Sequence, residues 1–344
     1  MRHFLVFMFL VFAGLFGALF LKNSRDPNKD SRPILKIYAS SSFIKQWGPG
    51  PWLKEKFEST CDCKVEYNDA ADSVLLMQKL KSENRGGGAD LVLGFDQYDL
   101  EMAQKGIEWK PIKIESLNFY EPVRATLSRT HFIPYDWGVL AFLVRQSEVK
   151  ELPKSFDDLL MPEFAGQISL QDPRTSSPGL QFLLWLISVK GEEEAFQFLK
   201  KFNAQVKSYG ANWSMSYGLF QKNQVKSTLS WVTSPVFHLL EEKNSDIVAV
   251  EFKEGHPIQF EYVGIPATCK NCDLAEKFVK LLLSKEGQKV IMEKNFMFPV
   301  IQGVRDGTVF ESIPNYKLMD MNVIPTIAER ERILKKWTQL RRAE

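Results

Sequence analysis

Apolar runs and helical patterns alternate along the chain from residue 34 onward. ILKIYAS (34–40) follows Pro33 and is rich in β-forming residues, so it predicts a strand. Gly48-Pro49-Gly50-Pro51 then opens a helical stretch, WLKEKFE, with proline near the start, where its missing N–H costs nothing. KVEYND (64–69) predicts a second strand, and DSVLLMQKLKSE (72–83) a helix capped by Asp72 or Ser73. After Gly86-Gly87-Gly88, the segment ADLVLGF (89–95) reads as a strand buried on both faces. Strands alternating with helices make a parallel sheet covered by helices, so the fold class is α/β.

A second α/β unit begins near residue 139 with GVLAFLV. It continues through the strand QISLQD (167–172), the helical LQFLLWLISV and EEEAFQFLKKF, and the strands STLSWV (227–232) and DIVAVEF (246–252). IQFEYVGIPA (258–267) carries the chain back to the first unit, and IPTIAERERILKKWTQLRR is a charged amphipathic helix starting after Pro325. The expected organisation is residues 34–138 plus about 259–315 as the first lobe, and 139–258 plus the helix at about 325–342 as the second. Two α/β lobes joined by more than one crossover leave a cleft at their strand ends, where such folds bind ligands.

Composition changes this picture little, but charge and the first 32 residues matter. The net charge of +2 over 344 residues arises in that segment; the remainder holds 39 basic and 40 acidic residues. No basic field is left for nucleic acid. Arg2 and His3 precede an uninterrupted apolar stretch from Phe4 to Leu21, followed by a polar linker. The segment 1–32 thus reads as a cleaved export signal or, at 18 apolar residues, an anchor in the inner membrane; either places the folded part outside the cytoplasm. The cysteines come as Cys61-Asp-Cys63 and Cys269-Lys-Asn-Cys272. In an exported chain they read as structural disulfides with three connectivities open, against a four-thiolate zinc site as the rival.

Catalytic signatures are missing from the sequence: no nucleophile elbow, Walker loop, dinucleotide fingerprint or zinc-protease helix is found. His131, His238 and His256 are scattered without metal-like spacing, so no catalytic residue, metal ligand or cofactor is expected. Binding residues stand out instead. Four of the eight tryptophans, Trp47, Trp137, Trp213 and Trp231, sit beside Gly or Ser in turn-like segments rather than inside apolar runs. Aromatic faces at loop ends suit a flat or cationic small molecule, and Asp72 and Asp136 lie in the same class of segment. Gln171 to Gly179 follows a strand and opens a helix, with Ser176 and Ser177 at the cap and Pro178 in the first turn. Free N–H groups at such a start attract an oxyanion or polar arm; plain capping is the alternative. Ser230-Trp231-Val232-Thr233-Ser234-Pro235 repeats the arrangement.

Several of these residues carry a family resemblance. Ser42-Phe43 with Trp47 to Pro51, Cys61-x-Cys63, Ala89 to Asp96, Pro134 to Gly138, Gln171 to Trp185, Tyr217-Gly218-Leu219-Phe220 and Thr233 to Lys243 resemble the thiamine-binding periplasmic proteins of ABC importers, over about residues 33–300. The resemblance implies a two-lobed, type II periplasmic-binding-protein fold that closes by a hinge. It implies a monomer that captures thiamine, thiamine monophosphate or thiamine diphosphate and delivers it to an inner-membrane permease. The thiazolium cation and aminopyrimidine would meet aromatic rings and a carboxylate, and the Ser176/Ser177 helix start would take the hydroxyethyl arm or its phosphate. The implied ligand-binding set is Trp47, Asp72, Asp136, Ser176, Ser177, Trp213, Tyr217, Trp231, Phe237 and Phe296. The chain departs from the family pattern at Ser40, Trp231, Phe237 and Phe296, where relatives place Tyr, Tyr, Tyr and Trp, which bears on the order among the three forms of thiamine. The alternatives are a receptor for ferric iron, which requires converging Tyr and His ligands, a polyamine receptor, and an enzyme of thiamine salvage.

Overall fold

β1 (Ile34–Ala39), β2 (Lys64–Asp69) and β3 (Leu91–Asp96) form where the apolar runs placed them. β1 lies in parallel between the other two, with Ile34 opposite Lys64 on one side and Ile37 opposite Leu91 on the other. The computed structural model describes residues 31–70, 72–83, 88–113, 117–127, 131–319 and 324–342; the expected signal or anchor at 4–21 lies outside the described residues.

Two strands then depart from an all-parallel pattern. The run expected to open a second unit at residue 139 is the latter half of one strand, β5 (Phe132–Arg145), after the short β4 (Trp109–Lys110). All fourteen residues of β5 are buried, Asp136 and Arg145 among them, and the expected boundary between 138 and 139 falls inside the strand. Its first half pairs antiparallel with β10 (Ile258–Pro266), which pairs antiparallel with β3. Its second half pairs antiparallel with β8 (Ser227–Trp231) and β9 (Ile247–Ala249). β6 (Ile168–Gln171) runs parallel to β8 and to β7 (Val206–Gly210), completing the second lobe's sheet. β11 (Phe298–Pro299) returns to the first half of β5. The sheet is therefore mixed: parallel where helices cross between strands, antiparallel along the strands that the lobes share.

Each lobe has its own core. In the first, Leu35, Ile37, Leu93 and Ile133 lie on one sheet face with Phe57 and Phe278, and Val92, Phe95 and Phe132 on the other with Leu76 and Leu80. In the second, Trp185 on the Ser177–Lys190 helix packs edge-on to Phe156 at 4.7 Å and beside Phe252 at 5.6 Å, and its Nε1–H donates to Gly255 O. The strand expected over 246–252 ends early because the Phe252 N–H donates to His256 Nε2 at 2.8 Å rather than to a neighbouring strand. His256 Nδ1–H in turn donates to Leu140 O, so this histidine is a satisfied core residue. Cys61 pairs with Cys63 and Cys269 with Cys272, both locally.

Candidate functional site

Between the lobes lies a cavity of about 650 Å³, within the roughly 300–1,000 Å³ typical of small-molecule sites. Eight of the ten sequence-predicted residues line it: Trp47, Asp72, Ser177, Trp213, Tyr217, Trp231, Phe237 and Phe296. Local backbone chemistry puts them there. Gly48 approaches so closely that an added Cβ would lie 2.2 Å from Ser42 O, and this tight turn carries Trp47 to the cleft edge, half exposed. Asn212 caps the Trp213–Gln221 helix through the Met215 N–H, which sets Trp213 at the mouth of its first turn. Phe296 ends a π-helical turn, Ile291–Asn295, in the left-handed region at φ 51°, a strained geometry for a non-glycine residue held by its surroundings.

The rings gather in two groups on the wall. Trp213 stacks on Tyr217 at 4.5 Å and sits 5.7 Å from Trp231 and 6.5 Å from Trp47, which comes from the other lobe. Phe237 meets Phe296 edge-on at 5.3 Å. Polar partners fix the wall: Trp213 Nε1–H donates to Ser230 Oγ, and Trp231 Nε1–H to Gln259 Oε1. Behind Tyr217, its hydroxyl donates to His238 Nε2 at 2.8 Å while His238 Nδ1–H donates to Glu242 at 2.7 Å. Burial holds the His238 pKa below its ordinary value, which keeps the ring neutral and able to accept from Tyr217. Trp137, the fourth turn tryptophan, belongs to the core instead, packed on Phe298 with its N–H on Pro299 O.

Two predicted residues are not on the cavity wall. Asp136 is completely buried and pairs directly with Glu261 across the β5–β10 ladder. Ser176 is also fully buried, and its hydroxyl donates to Asp72 Oδ2 at 2.9 Å.

The helix start at Ser177 differs from the open anion site expected of it. The Ser177 N–H donates to Asp72 Oδ1 at 3.0 Å, and the Ser177 hydroxyl and Gln181 Nε2–H both donate to Asp96 Oδ2. Carboxylates of the first lobe thus fill the positive end of a second-lobe helix. Asp72 also accepts from Ser73 N–H, the cap expected of it. Burial pushes its pKa up to about 6, against the downward pull of the Ser177, Ser176 and Ser73 donors. Asp96 is raised too, first by burial and then by Asp99.

The cavity also has polar members the sequence reading missed, among them Gln259, Glu261, Glu241 and Asn295. A signal existed for two: Gln259 and Glu261 sit at alternate positions of an otherwise apolar strand, on one face. Asn295 had none, because its place depends on the π-helical turn. Carboxyl-bearing residues Asp72, Glu241, Glu261 and Glu293 outnumber Lys294 on the wall, so the lining suits a cation better than an anion.

The family model of bacterial extracellular solute-binding proteins matches residues 89–320. The thiamine-binding periplasmic protein of Salmonella typhimurium is 35% identical over 277 residues, covering 78% of this chain and 82% of the relative. That of Brucella melitensis is 38% identical over 275 residues, covering 79% and 81%. A solved periplasmic thiamin binding protein superposes with a TM-score of 0.79 at 31% identity, over 90% of this chain and 96% of its own. A ferric binding protein from Campylobacter jejuni, at 18%, shares the fold alone, and a spermidine/putrescine-binding periplasmic protein of Escherichia coli is 27% identical. With sequence, fold and cleft in agreement, the chain belongs to the bacterial extracellular solute-binding proteins, in the group of the thiamine-binding periplasmic proteins.

Proposed function

We propose that this protein is a periplasmic receptor that captures thiamine or its phosphates in the cleft and passes them to an inner-membrane ABC permease, without catalysing a reaction. The observation that carries this reading is the ring wall of Trp47, Trp213, Tyr217, Trp231, Phe237 and Phe296 beside the carboxyl groups of Asp72 and Glu261. A thiazolium over an aromatic face gains about 0.5–2 kcal/mol per good contact, and the carboxyls answer its charge and the amino group of the pyrimidine. Ligand entering between Trp47 and Trp213 touches both lobes, so binding favours the closed arrangement. The segment at residues 1–32 serves as the export signal or anchor, and the receptor acts as a monomer with no cofactor.

Calorimetric titration of the purified protein, freed of carried ligand, with thiamine, its monophosphate and its diphosphate tests the reading. Submicromolar binding of at least one is the expected result. The order among the three reports how readily a phosphate displaces Asp72 and Asp96 from the helix start. Silence with all three, spermidine binding tighter than thiamine, colour on adding ferric ion, or release of free pyrimidine or phosphate would each sink it.

A further inference from the structure

Glu261 lines the cavity from β10 while Asp136 is its direct cross-strand partner on β5, in a strand pair that serves both lobes. Direct pairing across the ladder sets their side chains next to each other on one sheet face. Tyr135 OH donates to Glu261 Oε2 at 2.7 Å, and Asn295 Nδ2–H donates to Asp136 Oδ2 at 2.7 Å. Asp136 Oδ1 is buried and receives no bond from any N–H or O–H group among the described residues. A buried carboxylate oxygen left in that state is costly, whereas a proton held between two carboxyls satisfies it and cancels one charge. The other groups around Glu261 are mostly acidic, with Lys294 as the one cation on the cavity wall. Asp96 is opposite it on β3, Asp72 is at the start of the Ser73–Ser82 helix, and Glu293 and Lys294 are on the cavity wall in the π-helical turn.

We propose that Glu261, backed by Asp136, is a second carboxyl subsite for a cationic ligand, and that the ligand takes the place of the one proton the pair holds. The proton goes to solvent: protonated pair plus cation gives ionised pair with bound cation plus a hydrogen ion, and charge balances. The inference rests on the receptor reading and adds to it a specificity-determining residue. Burial, and for Asp136 the neighbouring Glu261, raises the pKa of both carboxyls, so the pair holds its proton at a pH where an exposed pair would have lost it. Affinity for the cation should therefore weaken on acidification, with proton release growing as it does. Asn295 and Tyr135 act as positioning residues, since they fix the two carboxyls and touch no ligand through the bonds described.

Calorimetry of the full protein with thiamine, in two buffers of unlike ionisation enthalpy and at mildly acidic and mildly alkaline pH, counts the protons. The expected result is about one proton released per thiamine on the acidic side and fewer on the alkaline side. Glu261→Gln should abolish the release and weaken binding at alkaline pH by about tenfold or more. Asp136→Asn should abolish the release with a smaller loss of affinity, and it carries the test if the first variant fails to fold. Thiamine that binds wild-type protein with no proton change, or with a release that survives both Glu261→Gln and Asp136→Asn, overturns the inference and leaves the receptor reading standing. Protein that binds neither thiamine nor its phosphates at either pH overturns both.

Discussion

Asp72→Asn offers a direct measure of what it costs to close a carboxylate between the lobes. In the folded protein burial holds Asp72 at about 6 rather than 3.8, in spite of three donors on its oxygens. The folded chain therefore keeps a proton there between about pH 4 and pH 6 that the unfolded chain has released. The sign follows: the group's contribution to stability is full below about pH 4 and is lost as pH rises through about 6. A displacement of that size is worth about 3 kcal/mol. Asparagine keeps the shape and one acceptor for the Ser177 N–H, but it does not titrate. The difference in unfolding free energy, variant minus wild type, should thus shift in the variant's favour by about 3 kcal/mol between about pH 3 and about pH 7. Guanidinium unfolding at a series of pH values measures it. A difference that stays flat across that range, within about 0.5 kcal/mol, would refute the reasoning and put Asp72 in contact with water.

Three further outcomes follow from the packing. Trp213→Ala removes a ring stacked on Tyr217 and should weaken thiamine by at least about 1.4 kcal/mol, a tenfold change, in calorimetric titration; unchanged affinity with intact fold would place the ligand elsewhere. Gly138→Ala brings a Cβ within 2.6 Å of Trp231 and 2.8 Å of Met297, both on the cavity wall, so it should lower affinity several-fold with a smaller effect on the unfolding midpoint; the reverse pattern would contradict that placement. Trp185→Ala leaves a cavity between Phe156 and Phe252 and should cost about 3–5 kcal/mol in denaturant unfolding, and a loss below about 1 kcal/mol would show that the second core is not built as described.

The alternation of strands and helices was legible because each apolar run carries its own period and its own cap. ILKIYA, LVLGFD and SPGLQFLLWLISVK declare their state without help from the rest of the chain. β5 was not legible as one strand because Pro134 and Gly138 look like punctuation in a local window. Only pairing with β10 on one half and β8 on the other keeps it extended throughout. The short β7, VKSYG, is half polar and gives no periodic signal. In the site, the aromatic residues were legible by type and by the turns beside them. The family resemblance added Tyr217, Phe237 and Phe296 to the set. Asp136 and Glu261 were not separable from sequence, since which carboxyl faces the ligand depends on the pleat of two strands from distant parts of the chain. Nor could the sequence say that the Ser177 helix start is met by Asp72 and Asp96, because that contact joins segments about a hundred residues apart through the closing of two lobes.

That contact makes capture an exchange rather than an addition. The N–H and hydroxyl groups of Ser177 hold a pair of acids supplied by the opposite lobe. A ligand arm that takes these donors makes bonds only by breaking equivalent ones, so its own contribution to the strength of binding is nearly cancelled. The ring faces give up no hydrogen bonds of that kind and keep more of their gain. Grip in such a receptor comes from the flat part of the molecule, while the arm decides which way round it lies.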